Sequence, residues 1–120
     1  MKTSLFGMTA FAYALSVLAS PSVLAQHTFG NQRSHCQATL IGSERNTRIT
    51  LRSGPGTNYS SRGYGLVGDR VYVLTATAPE LDYEKDKQGY GWHRVGFPKS
   101  GATGWIREDL LRLKCAPLND

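Results

Sequence analysis

The sequence predicts an all-β fold of five to seven short strands, with no helix longer than about two turns. Three observations carry that expectation. Apolar residues recur at every second position in short runs, as in Ile49-Thr50-Leu51-Arg52 and Val71-Tyr72-Val73, the period of a half-buried strand. Turn formers bound those runs, among them Ser53-Gly54-Pro55-Gly56 and Gly68-Asp69. Finally, the chain shows no internal repeat, linker or low-complexity stretch and is long enough for one domain.

The first 25 residues stand apart. Lys2 is a lone positive charge, Leu5–Leu18 is a short apolar run, and Val23-Leu24-Ala25 offers residues that a signal peptidase reads. Cleavage after Ala25 and export to the periplasm or the cell exterior are therefore expected. The run is shorter than the about 20 apolar residues of a spanning helix, so no membrane span is expected after cleavage. With Lys2 removed, 13 basic residues face 9 acidic ones, a net charge of +4. A domain this small has no room for a deep catalytic cavity beside the packing that it needs.

Residues 26–35 are polar and aperiodic and read as an unstructured lead-in. Cys36–Ile41 reads as the first strand, with Ala38 and Leu40 on one side, and Gly42–Thr47 as a loop. The Ile49 strand runs into a turn in which Pro55 fixes φ and Gly56 is expected to supply the positive φ of type II. Ser60–Val67 forms a long irregular excursion, and Val71, Val73 and Leu74 anchor the next strand. Thr75–Gln88 is charged, aperiodic and expected as a solvated loop. Tyr90–Val95 and Ala102–Ile106 form a hairpin across Gly96–Gly101, after which Leu110, Leu111 and Leu113 return to the core. Residues 116–120 are a tail.

Taken in order, RSGPGTNY, GDRVYVL, GWHRV and GWIREDLL, within roughly residues 48–113, resemble the bacterial SH3 (SH3b-type) domain. The resemblance implies a small, strongly bent SH3-like barrel over residues 36–115, with a short 3₁₀ turn before its last strand. The chain departs from the commoner pattern at Ser61-Arg62 and Gly63-Tyr64-Gly65, where many members carry an aliphatic pair and then Gly-x-Leu. Its long loop is thus more polar and more basic. The chain has two cysteines, Cys36 and Cys115, and an even count in an oxidising compartment reads as a disulfide. The resemblance brings the first and last strands together, which makes that pairing geometrically reasonable.

Enzymatic readings fare poorly. His27, His35 and His93 are the only imidazoles. His93 points away from the face of Trp92 and is expected on the surface, with no Ser or Cys nucleophile motif beside it. His35, Cys36, His93 and Cys115 would offer a metal four donors, but the short ligand spacings of zinc sites are absent, so no metal is expected. The carboxylates Glu80, Asp82, Glu84 and Asp86 alternate with other residues in one solvated run. The glycine pairs open no helix and carry no Lys-Ser/Thr, so no nucleotide and no other cofactor is expected. Arg45, Arg48, Arg52, Arg62 and Arg70 fall in one half of the chain. They take ordinary outward strand positions, and an exported protein meets cell-envelope polymers and acidic proteins rather than nucleic acid.

The aromatic residues are more informative. Trp92 and Trp105 are expected to be partly buried, with Trp105→Ala destabilising by about 3 kcal/mol. Tyr59 and Tyr64, on the long loop, look exposed beside Arg62. The resemblance implies an exported, non-catalytic binding module that recognises cell-wall (peptidoglycan) peptide or another envelope ligand; the alternative is a protein–protein interaction module, either an envelope-complex subunit or an inhibitor of a secreted enzyme. The sequence leaves the oligomeric state open, with a monomer favoured. The expected groove comprises Tyr59, Arg62, Tyr64, Tyr90 and Trp92, open to a ligand backbone because Gly54, Gly56, Gly63 and Gly65 carry no side chains.

Overall fold

The alternation at residues 49–52 becomes a strand whose two apolar side chains are buried and whose polar ones face outward. In the computed structural model, residues 26–118 are described. The expected signal segment and the last two residues of the tail lie outside them. The strands are β1 (Arg33–Leu40), β2 (Arg48–Arg52), β3 (Ser61–Leu66), β4 (Arg70–Leu74), β5 (Tyr83–Lys85), β6 (Gly91–Gly96), β7 (Thr103–Arg107) and β8 (Leu111–Cys115). All pairings are antiparallel, in the order β3-β2-β7-β6-β4-β1-β8, and β5 pairs with β6 beside β4. Among the described residues the fold is all-β, with eight strands where five to seven are expected. Among the described residues, helical structure is confined to two 3₁₀ turns, Gly30–Gln32 and Glu108–Leu110, the second directly ahead of β8.

The additional strand is β5. Its Tyr83, Glu84 and Lys85 are all exposed, so no alternation betrays it. Backbone pairing with Gly91–His93 alone makes it a strand.

One apolar cluster joins both flanks of the sheet. Leu40 and Ala38 of β1, Ile49 and Leu51 of β2, Val71 and Val73 of β4, Val95, Ile106 and Leu111 pack together. Leu40 also lies where a side chain at Gly65 of β3 would project, along with the Phe97 ring. β2, near one end of the order, and β1 and β8, at the other, therefore contribute to one core.

The N-terminal segment differs from expectation. The His27 N–H donates to the Pro98 carbonyl at 2.7 Å and the Thr75 N–H to the Gln32 carbonyl at 2.7 Å. Phe29 packs edge-on to Tyr72, with ring centroids 6.0 Å apart. An aperiodic segment is thus tied down by backbone bonds and one ring, and β1 starts three residues before Cys36.

Cys36 and Cys115 face each other across β1 and β8 and form a disulfide, with Cα atoms 4.0 Å apart. Cys36 is fully buried and Cys115 is exposed.

The expected surface histidine is instead inside. His93 is 8% exposed, because β6 is covered on both faces. Its ring lies 4.9 Å from that of Tyr83, and its Nδ1 has no hydrogen-bond partner among the described residues. Burial pushes the His93 pKa below its ordinary value, against a smaller upward pull from Glu108. The unfolded chain therefore binds the proton more tightly than the folded one, and stability rises with pH. The ring adds no pH-dependent cost above the unfolded pKa of about 6.5, and stability falls as the pH drops below it towards the folded value. Thermal melts between pH 8 and pH 5 should show that decline, and His93→Gln should flatten it. An unchanged slope in the variant would assign the decline to other groups.

Candidate functional site

β2 and β7 meet through a single register pair, Arg52 opposite Trp105, and part beyond it. A cleft of about 420 Å³ opens along the gap. Its apolar lining includes Ile49, Trp92 and Leu110, and its charged lining is Arg48, Arg52 and Arg107, with no Asp or Glu. Backbone groups also face it. The Thr47 carbonyl accepts from Val67 N–H and the Ser53 N–H donates to Ser60, both on the β3 side. Backbone groups alternate sides along a strand, so those of Arg48 and Thr50 point towards β7 and the cleft.

The guanidiniums are held differently. Arg48 lies 4.4 Å above the Tyr64 ring and makes no ion pair among the described residues. Arg107 lies 4.4 Å above the Tyr90 ring and is gripped by Asp109 through Nε at 2.7 Å and Nη2 at 2.9 Å. Those bonds raise the Arg107 pKa and hold the Asp109 carboxyl below its usual range. Arg52 donates to the Tyr59 carbonyl at 3.1 Å. Arg48 is thus the cation least committed to the protein itself.

The five expected groove residues are not gathered in one place. Tyr64 is 52% exposed and stands at the cleft margin beneath Arg48. Tyr90, 48% exposed, stands at the other margin beneath Arg107. Tyr59 lies instead against Gly54, where its ring occupies the space that a Cβ would need. Gly54 thus admits a tyrosine of this chain, and Gly65 likewise admits Phe97. Gly56 does not take a positive φ, so the loop is not the expected type II turn. Arg62 falls at the register shift where Leu51 pairs with Gly63 and Arg52 with Ser61. This bulge turns its side chain aside, and its Nη1 donates to the Thr103 carbonyl at 3.1 Å.

Trp92 is the floor. It is 4% exposed, and its indole N–H donates to Asp86 at 2.9 Å. That bond, ahead of backbone N–H groups of Tyr90, Gln88 and Gly89, lowers the Asp86 pKa. Trp105 is partly buried, as expected, whereas Trp92 is buried more completely than expected.

Sequence reading missed Arg48, Arg52 and Arg107 as a set. The first two were legible as outward positions of one strand. Arg107 joins them only because β7 lies beside β2. Of the four donors that a metal would have needed, His35, Cys36, His93 and Cys115, the first two and Cys115 have donor atoms within 4.8 Å of one another, without His93. Both sulfurs are bonded to each other, which removes the thiolates that a metal would need.

No family model matches the chain, and no solved structure matches it. Among curated proteins, it is similar to serine/threonine-protein kinase D of Synechocystis sp., with 36% identity over 78 residues. The match covers 65% of this chain and 14% of the kinase, so the chain spans a small part of that relative's length.

Proposed function

We propose that this chain is an exported, non-catalytic binding module of SH3 type, which holds cell-wall peptide or another acidic envelope ligand between β2 and β7. The cleft lining carries the reading, with three arginines, no carboxylate and an apolar floor. An extended peptide laid there would bond to the backbone of Arg48 and Thr50 as an added strand. Its carboxylates would meet guanidiniums, whose planar fork matches them. So small and open a cleft suits micromolar binding, about −8 kcal/mol. The SH3 assignment is supported by the sheet with one shared core and by the 3₁₀ turn ahead of β8. Export is supported by the leader-like first 25 residues and by the disulfide.

A protein–protein interaction module is the second reading. It is favoured by a smaller hollow of about 300 Å³ whose lining mixes Tyr83, Tyr90, Arg107, Glu108 and Asp109, since tyrosine and arginine are the side chains that anchor protein interfaces.

A pull-down on purified sacculi, run beside one on envelope extract, separates the two. In the first reading sacculi retain the protein, and Arg48→Glu weakens retention tenfold or more, because a charged hydrogen bond worth about 1.5–3 kcal/mol is lost. Tyr64→Ala weakens it less, by freeing Arg48 from its ring. Retention by extract proteins alone would favour the second reading.

A further inference from the structure

A second cationic surface lies on the outward side of β4, β1 and β8, on residues that the cleft does not use. These three neighbouring strands carry Arg33, Arg70, Arg112 and Lys114 and no Asp or Glu. Six of the acidic residues, by contrast, sit at positions 80–86 and 108–109, around β5 and the second 3₁₀ turn. Asp69 borders the basic face, and its carboxylate accepts the Leu66 N–H at 2.9 Å. Among the described residues the ion pairs are Arg94–Asp82 and Arg107–Asp109, so the cations of this face pair with none of the described acids.

The register arranges them as a trough. Thr39 of β1 lies between Arg70 of β4 and Arg112 of β8, and Gln37 lies between Tyr72 and Lys114. Each row therefore has a neutral hydrogen-bonding side chain in the middle and a cation on the β8 wall. On the β4 wall stand Arg70 and Tyr72, the latter with the Arg33 guanidinium 4.0 Å above its ring. Strand spacing puts the walls about 10 Å apart, and successive residues of one wall about 7 Å apart. A hollow of about 450 Å³ lies over Gln37 and Thr39, bounded by Arg70 on one side and Arg112 and Lys114 on the other. β8 is an edge strand, and charges on an edge discourage pairing with another chain. Edge protection accounts for Arg112 and Lys114 but not for Arg70 or Arg33 across β1.

We propose that this trough docks a strand of acidic polysaccharide, a glycan with carboxylates on successive sugars. The hydroxyl and amide of Thr39 and Gln37 match sugar hydroxyls, the flanking cations match the carboxylates, and the width admits one chain rather than a plane of head groups. The proposal is independent of the peptide cleft, because no residue of the trough lines it.

The test is calorimetric titration of the mature protein with oligogalacturonate, with neutral dextran, polyphosphate and anionic phosphatidylglycerol vesicles as comparisons. Oligogalacturonate should bind, and binding should weaken at least tenfold between about 20 and about 200 mM salt, as expected for release of counterions from several contacts. Arg112→Glu with Lys114→Glu should lower affinity tenfold or more, while Arg48→Glu binds like the parent. Arg70→Gln, on a different strand, should act in the same direction and guards against misfolding of the edge. Equal binding to dextran, undiminished binding by the trough variants, or trough-dependent binding of polyphosphate or vesicles in place of the glycan would each overturn the proposal.

Discussion

Reduction of the Cys36–Cys115 disulfide should lower the melting temperature by about 20 °C, the largest effect expected of any single covalent change. The two residues are separated by 79 positions. Closing a loop of that length removes about 4.5 kcal/mol of unfolded-chain entropy in the loop-closure model, and each kcal/mol moves the midpoint of so small a domain by about 4–8 °C. Little else holds the last strand. β8 pairs with β1 alone among the strands, over the five pairs from Cys36–Cys115 to Leu40–Leu111. Differential scanning calorimetry with and without reductant measures the shift, and Cys36→Ala with Cys115→Ala should reproduce it without reductant. A shift of less than about 5 °C would mean that the core holds both strands unaided.

Trp92→Ala should cost about 3–5 kcal/mol, the range for truncating a large buried ring. The indole is buried between the cleft and the loop of β5, and its loss would also take from Asp86 Oδ2 the indole N–H, leaving the carboxylate with backbone donors on Oδ1. Trp92→Phe keeps most of the ring and should cost less. Trp105→Ala, on a half-buried ring, should cost less than Trp92→Ala. Urea unfolding of the three variants, at a pH where His93 is neutral, ranks them. Trp105→Ala as the costliest would contradict the burial seen here.

Much of the fold was legible because alternation reports burial on one face. Ile49 and Leu51, Val71 and Val73, and Val95 each sit where a period of two places them. The same rule failed for His93. It correctly put His93 and Trp92 on opposite faces of β6, but it carried no information that both faces are covered. β5 was missed for the complementary reason, since a strand with every side chain exposed leaves no pattern. At the site, Tyr64 and Tyr90 were legible as exposed rings, but their partners Arg48 and Arg107 are 59 positions apart in the sequence. Their approach depends on β2 lying beside β7, which local sequence does not encode. Arg62 was displaced by a bulge, and Tyr59 by the glycine that admits its ring.

Entry of ligand between β2 and β7 is tested by amide chemical shifts of ¹⁵N-labelled protein spanning residues 26–120, titrated with soluble peptide fragments released from sacculi. If ligand enters there, the largest shifts fall at Arg48, Thr50, Arg52 and Arg107, and Arg48→Glu abolishes them. Shifts centred on Tyr59, Arg62 and Gly63, or none at saturating fragment, would contradict it.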